Sequence, residues 1–217
     1  MNRSALAALL LACTCSVAQA TPYVFVARHS QGVMRWNHLG FSNPSAQFNQ
    51  IDGTLDWNAS NPTQSSVKAT IKTSGIATGV PALDEHFASA EFFDYPHNPL
   101  ITFSSTRIEK ATTEGHFIVT GDLVMHGVTK SVMLDMVVNK VGLSPRTNLP
   151  SVGFEGTTTL KRSDFELGRF VPLVSDEIRI ELTVEAVDAA ALAKFEAEAA
   201  KEDAAAKQAQ AAGKTSD

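Results

Sequence analysis

Between residues 23 and 187 apolar and polar positions alternate with a period of two, in short runs parted by turn residues. After His126-Gly127, Val132, Leu134, Met136 and Val138 alternate with Met133, Asp135 and Val137. Before that turn, Phe117, Val119, Leu123 and Met125 keep the same step, with Gly121 among them. Ile51, Leu55 and Trp57 alternate with Asp52, Thr54 and Asp56, and Val67, Ala69 and Ile71 with Lys68, Thr70 and Lys72. The cleanest run sets Ile178, Ile180, Leu182 and Val184 against Arg179, Glu181, Thr183 and Glu185. Successive side chains of a strand point to opposite faces, so each run reads as a strand with one apolar and one wet face. Turn clusters at 42–45, 58–62, 96–99 and 144–150 separate them. Many short strands of this kind predict an all-β chain, built as an antiparallel barrel or sandwich.

Two segments depart from the alternation. Residues 84–90 offer helix formers after Pro81, and Phe87, Phe92 and Phe93 gather close by. This predicts a short helical segment and an aromatic plug between two strands. From Asp188 to about Ala212 the chain is mostly Ala with Lys and Glu and contains no Gly or Pro. Lys194 and Glu198, and Asp203 and Lys207, sit four apart, the spacing of paired charges on an exposed helix. The tail at 188–217 therefore predicts a solvated C-terminal helix, with Val187, Leu192 and Phe195 as its few anchors.

Composition narrows the class. A chain of 217 residues with 44% hydrophobic residues can build one sizeable core and at most two domains. The formal net charge of −5, without any cluster of Lys and Arg, argues against a nucleic-acid partner. Arg3, the apolar run from Ala5 to Ala12 and the small-x-small triplet Ala18-Gln19-Ala20 form a signal peptide over residues 1–20. That run is too short to span a bilayer, and none of comparable apolarity follows. The expected product is an exported, soluble chain starting near Thr21, with its folded domain at 21–187. Both cysteines, Cys13 and Cys15, fall inside the leader, so disulfides and thiolate chemistry drop out of the mature chain. A rival reading takes Leu10-Leu11-Ala12-Cys13 as a lipoprotein site, with Cys13 acylated and retained.

Candidate chemistry is sparse. The six histidines, at 29, 38, 86, 97, 116 and 126, form no short metal-binding spacing and read as structural or surface residues. Ser65-Ser66-Val67-Lys68 fits an SxxK pattern formally, but it opens a strand, where serine and lysine do not share a helical turn. Asn58-Ala59-Ser60 is a glycosylation sequon that matters only in a glycosylating host. Nothing here demands catalysis, a metal or a required cofactor. A barrel of about eight strands either fills its interior or holds one small ligand, and periodicity leaves that choice open. Met34, Met125 and Met136 lean toward a ligand cavity, since thioethers adapt to irregular apolar shapes.

Several stretches resemble the YceI-like family, the lipid- or polyisoprenoid-binding proteins of bacteria. They are His29-Ser30 with Asn37-His38-Leu39-Gly40, Asp84-Glu85-His86-Phe87 leading into Ala90-Glu91-Phe92-Phe93-Asp94, and Pro99-Leu100-Ile101-Thr102-Phe103-Ser104-Ser105-Thr106. Gly121-Asp122-Leu123 through His126-Gly127-Val128-Thr129-Lys130 and Arg162-Ser163-Asp164-Phe165 complete the series. The resemblance covers roughly residues 23–187. Gly32 stands where an aliphatic residue is usual, and Ser45-Ala46-Gln47 where the family carries Gly-Arg-Phe. The resemblance implies a lipocalin-like antiparallel β-barrel, periplasmic or secreted, that holds a long isoprenoid or fatty-chain lipid without catalysis.

Taking the apolar side of each strand as inward, the expected lipid-binding face is Met34, Trp36, Phe103, Leu123, Leu134, Met136, Ile180 and Leu182. Phe87, Phe92 and Phe93 are expected to close one end as a flap over the opening. Two rivals stay open: an enzyme acting on a bound quinone or isoprenoid through His38 or His126, and a filled barrel serving a partner protein. A homodimer is also left open.

Overall fold

The computed structural model describes residues 20–213 apart from residue 50. The expected leader and the acylation site at Cys13 lie outside the described residues. Among the described residues eleven strands form one antiparallel sheet: β1 (Thr21–Phe25), β2 (Gln31–Arg35), β3 (Ser45–Phe48), β4 (Ile51–Trp57), β5 (Ser66–Lys72), β6 (Ile76–Ala77), β7 (Leu100–Lys110), β8 (His116–Met125), β9 (Val128–Leu143), β10 (Pro150–Lys161) and β11 (Glu177–Asp188). Helix α1 spans Pro81–Ala88, and α2 spans Ala189–Gly213.

The first six strands are three long strands, each broken once. β1 and β2 run along the same neighbour, with Tyr23 opposite Asp188 and Gln31 opposite Thr183 on β11. β4 and β3 continue the next strand, and β5 and β6 the one after. Three broken and five continuous strands make an eight-stranded barrel, closed where β1 pairs with both β4 and β11. Closure removes the exposed sheet edges that an open sheet would carry.

The first break is held by Ser30, which is 1% exposed. Its hydroxyl donates to the Glu185 carbonyl and accepts from the Glu185 N–H, both at 3.4 Å, so the chain leaves the ladder without stranding polar groups. Beyond the third break, β6 pairs with β3 but with no other strand among the described residues. Ile76 of β6 shares the core cluster with Phe87 of α1.

The helix starts three residues earlier and ends two residues earlier than the pattern at 84–90 predicts. Pro81 opens it, where a missing N–H costs nothing. Asp84 accepts from the Thr78 N–H and hydroxyl, both at 2.6 Å, which ties the preceding turn to the first helical turn and holds the carboxyl below its usual range. At the other end Ser89 is extended, and its hydroxyl donates to the His86 carbonyl at 2.7 Å. The aromatic segment packs against the core: Phe87 and Phe93 are each 7% exposed, with Phe92 half-buried against them.

The hairpin at 121–138 shows how local chemistry sets register. Met125 pairs with Val128, leaving His126 and Gly127 as a two-residue turn with φ of 52° and 74°. Positive φ at both positions matches the twist of the flanking strands. Glycine takes it freely, and the His126 ring is steadied by a 3.2 Å hydrogen bond between Nδ1 and the Phe165 carbonyl.

Candidate lipid-binding cavity

Because each strand alternates, closing the barrel turns every apolar face inward at once. A cavity of about 170 Å³ lies along the interior. Its wall on β8 runs from Phe117 to Met125, which is about 27 Å of strand at roughly 3.4 Å per residue. Val132, Leu134, Met136 and Val138 of β9 line it beside Phe103 of β7, Leu123 of β8, and Ile180 and Leu182 of β11. A smaller cavity of about 60 Å³ sits at the α1 end, lined by Met34, Trp36, Phe87, Phe92 and Phe93. Phe48, Met125 and Ile180 line both, so the two spaces adjoin.

The structure thus divides the expected lining residues between two adjacent spaces. Phe103, Leu123, Leu134, Met136, Ile180 and Leu182 face the larger, and the other five the smaller. Rings step inward at the α1 end: Phe92 is 5.8 Å from Phe87, and Phe87 is 5.6 Å from Trp36. At the opposite end Trp57 meets the edge of Phe154 at 5.7 Å, within a second core cluster with Tyr23, Leu55, Val152 and Ala186.

Several lining residues escape the sequence pattern. On β10, Phe154, Thr158 and Leu160 face the cavity, but Thr157 and Thr159 between them are also threonine-rich chain, so the contrast between faces is weak. Phe25 and Phe48 sit beside strand breaks, where a run of alternation is too short to read. The step of two through Phe154, Gly156, Thr158 and Leu160 is the signal that could have found β10.

The lining is chemically quiet. Its two hydroxyls are engaged within the protein: Ser65 Oγ accepts from the Asn58 N–H at 2.9 Å, and Thr158 donates to the Met133 carbonyl at 2.8 Å. Neither His38 nor His126 lines either cavity, and His126 is committed to its turn. Among the described residues no three His, Cys, Asp or Glu side chains gather as a metal site. Apolar cavities of about 150 Å³ stay dry and take up hydrocarbon, so this interior favours apolar matter over water.

One cation borders the smaller cavity. Arg162 bridges the loop before β11, donating to the carbonyls of Leu167, Arg169, Val174 and Ser175. Burial lowers its pKa from the usual guanidinium value, with Asp176 opposing that shift. A guanidinium stays charged at any physiological pH, so Arg162 acts here as a fixed clamp on the loop.

A family model for the YceI-like domain matches residues 23–186. A UPF0312 protein of Ectopseudomonas mendocina is 33% identical over 191 residues, covering 86% of this chain and 99% of its own. Two solved structures share the fold. BcnA of Burkholderia cenocepacia aligns with a TM-score of 0.65 at 22% identity, over 72% of this chain and 95% of its own. A polyisoprenoid-binding domain of Saccharophagus degradans aligns with a TM-score of 0.60 at 12% identity, over 76% and 98%. With its match reaching from β1 to β11, the chain belongs to the YceI-like family.

Proposed function

We propose that this protein is a non-enzymatic carrier that holds a long-chain isoprenoid or other lipid inside the barrel, in the periplasm or after secretion. The observation that carries the reading is the apolar wall running from Phe117 to Met125 on β8, continuous with the space under the aromatic plug. The structural likeness to a polyisoprenoid-binding domain supports the same ligand class. Each buried methylene contributes about 0.8 kcal/mol, so an isoprene unit contributes on the order of 3 kcal/mol before ordering costs. Such a ligand needs no catalytic group, and polar contacts matter only at its head.

Native mass spectrometry of the gently purified protein tests this. A co-purifying lipid of long chain is the expected result. A barrel that stays empty after exposure to isoprenoid and fatty-chain lipids defeats the carrier reading, and turnover of a bound lipid defeats its non-enzymatic part. N-terminal sequencing of the exported protein tests the location: a start near Thr21 is expected, and an acylated Cys13 replaces the soluble carrier with an anchored one.

A further inference from the structure

Two loops far apart in sequence form one exposed apolar patch beside the smaller cavity. Leu39 N–H donates to the Leu173 carbonyl at 3.0 Å, and His38 bridges Val174, which ties residues 37–42 to residues 168–174. Phe41 is 90% exposed and Leu173 67%, with Leu39, Phe170 and Val171 also on the surface. Arg162 donates to carbonyls along the second loop and so fixes its backbone, with Val174 turned into the smaller cavity and Phe170, Val171 and Leu173 left on the surface. Exposed apolar side chains gathered this way mark an interaction site.

We infer that this patch docks on the surface of a lipid bilayer, from which the barrel takes and returns its ligand. The inference rests on the carrier reading and goes beyond it. Three observations single out a bilayer. The patch is continuous with the cavity: Phe170 is 6.4 Å from Phe92, which stands 5.8 Å from Phe87, itself 5.6 Å from Trp36. An apolar chain therefore meets rings at every step from surface to interior. The loops also carry no carboxylate from Asn37 to Ser45 or from Leu167 to Ser175, although the chain bears 23 acidic residues and a net charge of −5. Their one formal cation, Arg169, lies over the Phe170 ring at 4.9 Å and pairs with Glu91 at 3.1 Å. Anionic head groups thus meet no acidic side chain on these loops. Finally, Phe41 and Leu173 project from two neighbouring loops, a shape suited to shallow insertion among acyl chains.

Flotation of the full protein with phosphatidylcholine vesicles tests the docking. The double variant Phe41→Ser/Leu173→Ser removes two exposed side chains without touching the cavity, and Met133→Ser on the barrel wall is the control, 67% exposed in the native chain. The expected result is that wild type and control float, whereas the double variant loses about tenfold of its vesicle-bound fraction. Circular dichroism verifies that each variant is folded. Failure of the wild type to float, or equal flotation of all three, overturns docking. So does a dimer in sedimentation velocity that the double variant abolishes, since a second copy then covers the patch. Native mass spectrometry on the same samples separates the two ideas. An empty barrel with Phe41-dependent flotation sinks the carrier and keeps the docking, and a loaded barrel without flotation does the reverse.

Discussion

Met136 on β9 lies across Gly156 on β10, its thioether filling the place where a β-carbon would stand. Phe103 covers Gly121 in the same way, Phe25 covers Gly53, and Leu182 and Phe48 share the space over Gly32. In each case a bulky lining side chain lies flat on a bare stretch of wall instead of standing in the lumen. These glycines widen the bore. At Gly156 the close atoms all belong to the flexible Met136 side chain, with the nearest backbone atom, the Asp135 carbonyl oxygen, 3.5 Å away. Gly156→Ala is therefore expected to swing Met136 into the lumen while the fold survives at a cost of about 1–3 kcal/mol. Native mass spectrometry should show less lipid or shorter chains. An unchanged lipid profile rules out a role for Gly156 in the bore.

A charge on the inner face should act very differently from a change on the outer face. Leu134→Asp or Leu182→Asp places a carboxylate against apolar wall, where it loses hydration and gains no partner. The expected result is loss of lipid retention with destabilisation of about 3 kcal/mol or more. Asp135→Asn and Glu181→Gln alter exposed groups, whose ion pairs with His116 and Arg179 are worth at most about 1 kcal/mol, and should leave both properties intact. Urea unfolding and mass spectrometry read the two outcomes. Equal behaviour of the two sets would mean that the Leu134 and Leu182 face does not contact lipid.

Removing the C-terminal helix should leave the barrel and its cargo in place. Asp188 starts α2 by accepting from the Ala191 N–H at 2.8 Å, but beyond it Leu192 is half-buried and Phe195 is 44% exposed. So little buried area contributes only about 1–2 kcal/mol. A chain ending at Asp188 is expected to retain lipid and to melt within a few degrees of the full protein. A large drop in melting temperature would assign Leu192 and Phe195 a structural role on the barrel.

Tyr95 gives the fold an alkaline limit. Among the described residues its buried hydroxyl has no hydrogen-bond partner, and burial, with Asp84 adding to it, pushes its pKa up to about 12. The raised value means that the folded state favours the neutral phenol. Its contribution is fully present below the unfolded pKa near 10 and is lost as pH rises from there toward about 12. Tyr95→Phe should flatten the decline of stability across that window, as followed by thermal melts. At neutral pH it should be neutral or stabilising, because an unpaired buried hydroxyl costs about 1–3 kcal/mol. A variant whose stability falls as steeply as wild type would assign the alkaline limit elsewhere, with Tyr23, also raised by burial, the next candidate.

The faces of the strands were legible in the chain because alternation is a local property. Leu134 and Asp135, or Leu182 and Glu181, must point to opposite sides whatever the rest of the molecule does. The His126-Gly127 turn and the aromatic plug were legible for similar reasons, since turn chemistry and clustered rings act over a few residues. The helix boundary was not, because Thr78 and Pro81 outside the apparent helical stretch set where α1 begins. Only the tertiary structure decided how the faces meet. Closure depends on β1 finding both β4 and β11, pairings that no short window of sequence contains. The inward role of Phe154 and Thr158 follows from register with β9 and β11, and the recesses over Gly32 and Gly156 exist only once neighbouring strands pair. The exposed patch is the extreme case. Phe41 and Leu173 lie in aperiodic turns more than a hundred residues apart, and side-chain exposure in a turn is set by what packs beside it, which the chain alone does not encode locally.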